Sequence, residues 1–92
     1  MTSSRAHILT AHASRYLQQL CKHWAHKFET EHTPTHARIA LPLGVAELEA
    51  NDASLTITVS ATGDADLTTM QQVVQSHVER FAFRETLDFS WQ

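Results

Sequence analysis

Ninety-two residues make one domain, since a second compact unit would have too little chain left to build a core. With 42% hydrophobic and 18% charged residues the chain falls among ordinary globular proteins rather than disordered ones. A net charge of −3, with only seven Lys and Arg and no basic run, argues against tight nucleic-acid binding, which needs clustered phosphate-neutralising cations.

No apolar stretch approaches the roughly 20 residues needed to span a bilayer. Met1-Thr2-Ser3-Ser4-Arg5 lacks the apolar core of a secretory signal. Cys21 is the only cysteine, so no internal disulfide forms, and the cytoplasm is the expected location. A chain this small gains from burying leftover apolar surface in a homodimer. Its composition is unusual in one respect: of its seven histidines (His7, His12, His23, His26, His32, His36 and His77), six fall in the first 36 residues.

In chain order, Arg5 to Leu9 reads as a short strand with Ile8 inward, and Thr10 is placed to cap the helix that follows. From Ala11 to Phe28 the period is helical, with Ala13, Leu17, Leu20, Cys21, Trp24 and Phe28 forming an apolar stripe. Glu29 to His32 is a short strand, and Thr33-Pro34-Thr35 is a turn in which proline fixes φ. His36 to Leu43 and Val45 to Ala50 alternate as a hairpin around Gly44. After the Asn51-Asp52 turn, Leu55 to Ser60 is the clearest strand, with Leu55, Ile57 and Val59 inward. Gly63 to Asp66 opens a second helix, with Asp64 or Asp66 as its cap and Leu67, Met70, Val74, Val78 and Phe81 as its buried stripe. Leu87, Phe89 and Trp91 alternate in a closing strand, Thr86 to Gln92. The expected fold is one α+β domain over residues 1–92. It is a two-layer sandwich, with two helices on one face of a mostly antiparallel sheet, in the order β-α-β-β-β-β-α-β.

On the first helix His12, Tyr16, Gln19, His23 and His26 share one polar sector beside the apolar stripe. His23 and His26 stand one turn apart, a spacing that lets two imidazoles bind one metal ion, and His77 on the second helix is the best third ligand. Zinc, iron and copper all suit imidazole. Histidines so spaced on an exposed face are ordinarily only solvated, and the chain has no Cys/His spacing of a structural zinc site. Cys21 lies about 160° round the wheel from His23 and points into the apolar stripe, which rules out a nucleophilic Cys-His pair there. Glu47 and Glu49 share one side of their strand, as a solvated edge does. Trp24 and Trp91 read as core or interface anchors. With only Gly44 and Gly63, no glycine-rich phosphate loop exists, and no nucleophile elbow is present.

Three segments together carry a family resemblance: Ala13 to Lys27, Ala37 to Gly44 leading into Glu47-Leu48-Glu49, and Ser76 to Glu85 with Phe89-Ser90-Trp91. They resemble an uncharacterised bacterial family of roughly 90-residue proteins catalogued as a domain of unknown function. Similar domains are fused to flavin-dependent siderophore-interacting proteins, which reduce ferric siderophores in the cytoplasm. The resemblance therefore implies a partner of that kind and a place in iron handling. His23, His26 and His77 lie inside the matching segments. The leading expectation is a non-enzymatic accessory or binding domain in iron or siderophore metabolism that ligates a metal or haem-like group through those three histidines. The alternatives are a structural homodimerisation module without a ligand and a small enzyme with a histidine general base.

Overall fold

The computed structural model describes residues 2–92. Its elements follow the order β1 (Thr2–Leu9), α1 (Ala13–Trp24), β2 (Thr30–His32), β3 (His36–Leu41), β4 (Gly44–Ala50), β5 (Ser54–Ala61) and α2 (Asp64–Phe81). The strands form one five-stranded sheet in the order β1-β5-β4-β3-β2, and all four pairings are antiparallel. The α+β architecture read from the periodicities is the one observed, with a sheet that is antiparallel throughout.

Strand alternation sends one set of side chains to each face. In register across the sheet, Ala6, Ile57, Leu48 and Ala37 make one inward row, and Ser4, Val59, Ala46 and Ile39 make the next. Small residues interleaved with large ones give both helices close seats. α1 contributes Ala13, Leu17, Leu20, Cys21 and Trp24 to the core beneath it, and α2 contributes Met70, Val74 and Val78. The opposite face is open and polar, carrying Arg5 and His7, Thr56 and Thr58, Glu47 and Glu49, and His36 and Arg38. Glu47 and Glu49 thus stand where their alternation puts them. Among the described residues the one ion pair is here, His36 Nε2 to Glu47 at 3.9 Å.

Several boundaries differ from the sequence reading. β1 begins three residues before Arg5, because pairing with β5 runs on through Thr2↔Ala61 although this stretch has no apolar signal. α1 ends at Trp24 rather than Phe28, with Ala25 to Phe28 closing as turns on the carbonyls of Cys21 and Trp24. Thr10 is not the residue flanking α1, yet its hydroxyl accepts the His12 N–H at 3.1 Å. α2 starts from Gly63 with no side-chain cap among the described residues, and Asp64 and Asp66 instead sit in its first turn, where negative charge suits the helix dipole.

The closing strand does not form. Thr86 to Gln92 keeps the alternation, with Phe89 buried and Leu87 and Trp91 half-buried, but Ser90 adopts φ 26°, which interrupts an extended run. Only Gln92 meets the sheet, exchanging both backbone hydrogen bonds with Arg5 at 2.8 Å on the free edge of β1.

Two turns set the hairpins. Asn51 Oδ1 accepts the N–H groups of Ala53 and Ser54, both at 2.8 Å, closing the link from β4 to β5. Pro42-Leu43 joins β3 to β4, and Gly44 follows where the backbone of β5 comes close. A Cβ on Gly44 would lie 1.9 Å from the Ser60 carbonyl oxygen, whereas a Cβ on Gly63 would meet nothing within 4 Å. Gly44→Ala should therefore lower stability by about 2–3 kcal/mol, read as a lower urea midpoint at unchanged slope, because the clash is with backbone that cannot rotate away. Gly63→Ala should stay within about 1 kcal/mol.

Candidate functional site

The two helices lie antiparallel on the sheet. His23 near the end of α1 meets His77 of α2, and Tyr16 one turn into α1 meets Glu85 just past α2. The seam between them carries most of the chemically capable side chains.

His23 and His77 come together as the sequence reading expected. Their ring centres are 5.1 Å apart and inclined by 53°. Trp24 packs against His77 with 4.9 Å between ring centres, and Phe81 stands edge-on to His23 at 6.1 Å. His77 Nδ1 donates to the Val73 carbonyl at 2.7 Å, a bond back along one turn of α2. With the ring neutral, that bond places the proton on Nδ1 and the lone pair on Nε2. His23 is an exposed residue whose contacts with Trp24, His77 and Phe81 partly desolvate its ring and lower its pKa, and the cationic forms of His77 and His26 with Arg80 and Lys27 lower it further.

His26 does not join them. It belongs to the turn after α1, so the one-turn spacing from His23 is not held on a helix face, and it makes no ring contact with either partner among the described residues. Among the described residues no group of three His, Cys, Asp or Glu side chains is arranged to hold a metal ion. Cys21 is fully buried, and burial pushes its thiol pKa up, which suits a packed hydrophobe and not a nucleophile.

A second cluster escaped the sequence reading. Tyr16, read as part of the polar sector, is only 4% exposed. Its hydroxyl donates to Glu85 Oε2, and Thr10 Oγ1 donates to the same carboxylate at 3.0 and 3.2 Å. Burial first, then the Glu85 hydrogen bond and charge, push the Tyr16 pKa up to about 12. Tyr16 and Glu85 line a cleft of about 420 Å³ together with His12, Arg15, Gln19, Phe81, Phe83 and Arg84. At the other end of the seam Trp24, Phe28, Leu41, Leu43, Met70 and Val73 wall an apolar groove of about 250 Å³. The one available clue to Tyr16 was its place next to buried Leu20, about 40° beyond the edge of the apolar stripe on the wheel.

The fold and seam define a small two-layer α+β domain that carries paired imidazoles between its helices. The chain belongs to the uncharacterised protein family conserved in bacteria known as DUF2218, which it matches over residues 5–92. It is also similar to PA4090 from Pseudomonas aeruginosa, solved by NMR, with 38% identity and a TM-score of 0.85 over 100% of this chain and 96% of that one. No curated protein matches the chain.

Tyr16 is the chain's single tyrosine, so an alkaline absorbance titration reads it alone. The folded phenol should ionise near pH 12, and Glu85→Gln should bring the midpoint down towards the ordinary value of about 10. Because the folded pKa is the raised one, the stability it contributes is complete below about pH 10 and is lost as pH climbs through 12. A wild-type midpoint near 10 would show that the phenol is not held by Glu85.

Proposed function

We propose that this protein is a non-enzymatic binding module that takes a transition-metal ion, or a metal already held by a small chelator, between His23 and His77. The observation that carries this reading is the ring separation. A metal bonded about 2.0–2.1 Å from one nitrogen of each ring lies roughly 3.2 Å from each ring centre, so two rings at a tetrahedral angle sit about 5.2 Å apart. The observed 5.1 Å between ring centres is compatible with that separation. The Val73 carbonyl supplies the outer hydrogen bond that metal-binding histidines ordinarily make.

Two protein ligands leave coordination positions open, which favours an ion shared with a second molecule over a bare ion in a closed cage. Imidazole suits zinc, iron and copper. Iron is the metal favoured here on the resemblance drawn from the sequence, which implies an accessory role beside a flavin-dependent siderophore-interacting reductase. His26 is a third ligand only if the turn after α1 brings it to the pair on binding. A structural homodimerisation module is the second reading, favoured by the apolar groove beside Trp24 and the exposure of Leu43 at its rim. Light scattering on the purified chain tests it, and a monomer at micromolar concentration counts against it.

Titration of untagged protein with Zn²⁺, Fe²⁺ and Cu²⁺, followed by Trp24 fluorescence in a Trp91→Phe background, tests the metal reading. Outer-shell changes alone cost metal sites roughly 10–100-fold in affinity, so His23→Ala or His77→Ala should cost about a hundredfold. His26→Ala should cost far less, and an equal loss would make His26 a ligand. No dependence on His23 or His77 removes the reading.

A further inference from the structure

We infer that the cleft between the start of α1 and the residues following α2 is a separate site for a small organic anion with an aromatic body, its anionic group held by Arg15 and Arg84 and its ring by Phe81 and Phe83. The argument begins with charge. The chain is acidic, at −3, yet its first 28 residues contain no Asp or Glu. Of the seven Lys and Arg, Arg5 and Arg38 lie on the open sheet face, while Arg15, Lys22, Lys27, Arg80 and Arg84 lie on or next to the two helices. The α1 side of the seam, with Arg15, Lys22 and Lys27 and no acid, is thus locally basic, whereas α2 and the residues after it carry Asp64, Asp66, Glu79, Glu85 and Asp88 against Arg80 and Arg84.

Between them the cleft has the required parts. Arg15 and Arg84 both line it and both are exposed, and neither belongs to an ion pair among the described residues. The one carboxylate in the wall, Glu85, accepts from the hydroxyls of Thr10 and Tyr16 and keeps its negative charge, so against Arg15 and Arg84 the wall retains a single net positive charge. Phe83 is 77% exposed, the most exposed large hydrophobic side chain described, and the Arg84 guanidinium lies over its ring, 5.4 Å from the centre. An aromatic group standing in water beside an unpaired cation suits a flat anion, which gains ring contact and a charge-assisted hydrogen bond together. The volume, about 420 Å³, is that of a small-molecule pocket. This site uses none of the histidines of the metal reading, and its test is independent of that reading.

Phthalate, benzoate, acetate and benzyl alcohol serve as probes for titration by NMR, with the resonances of Tyr16, Phe81 and Phe83 as reporters. Phthalate should bind most tightly and benzoate next. Acetate, which lacks the ring, and benzyl alcohol, which lacks the charge, should bind at least about tenfold more weakly. Arg15→Gln and Arg84→Gln should each weaken phthalate about tenfold, and Phe83→Ser should abolish the preference for phthalate over acetate. These side chains are exposed, so the variants should keep the wild-type thermal midpoint; should one lose it, the other two and the wild-type probe ranking decide. Equal binding of all four probes, or phthalate binding unchanged in folded Arg15→Gln and Arg84→Gln, overturns the inference. Raising the salt concentration should weaken phthalate and leave benzyl alcohol unaffected, and the reverse pattern also overturns it.

Discussion

Five antiparallel strands with apolar side chains on one face and charged or hydroxyl side chains on the other have only one way to leave water, which is to cover the apolar face with the two helices the chain supplies. The inward rows carry alanine and serine beside isoleucine, leucine and valine, and this relief lets α1 and α2 lie close to the sheet and to each other. The seam follows from that packing. Once Trp24, Leu20 and Val78 are driven into the core, the neighbours of those residues on the wheel, His23, Tyr16, His77 and Phe81, must face one another across the gap. The chemistry of the protein is thus placed by hydrophobic burial, and its polar groups are oriented afterwards by local hydrogen bonds such as that from His77 to Val73.

Those local bonds divide the seam into parts of different character. At the His23 and His77 end the rings lie against tryptophan and phenylalanine, and His23 is exposed. At the Tyr16 and Glu85 end the carboxylate is held by two hydroxyls, and the arginines of the cleft wall form no ion pair among the described residues. Phe81 stands between the two, in contact with His23 and forming part of the cleft wall.

Much of this was legible in the residues alone, for reasons that can be named. Alternation in Leu55 to Val59 and the stripe from Ala13 to Trp24 report burial directly, and the sheet and helices followed from them. Burial made His77 the natural candidate to meet His23, since both flank apolar stripes. Which flanks of the two helices face each other depends on strand order, however, which periodicity does not fix. Periodicity says nothing about where a stripe stops, so Phe28, which packs at the margin of the core from a turn, made the helix look one turn too long and kept His26 on its face. The tail shows the same gap between packing and hydrogen bonding: Leu87, Phe89 and Trp91 alternate in burial without a ladder. The Tyr16–Glu85 bond joins residues 69 apart, and no local pattern announces a pairing at that range.

The single backbone pair between Gln92 and Arg5 has a consequence for solubility. The two margins of a β-sheet invite other chains to add to them. Here one margin is the three-residue β2, too short to template much, and the other is β1, whose outward groups are engaged at mid-length by Gln92, with the Ser4 hydroxyl also donating to its oxygen. The buried ring of Phe89 holds that clasp in place from below the sheet margin. The tail thus acts less as a strand than as a guard, and its detachment would expose in one event an apolar ring and the Arg5 backbone groups at the middle of an open sheet margin, a combination from which ordered aggregates start.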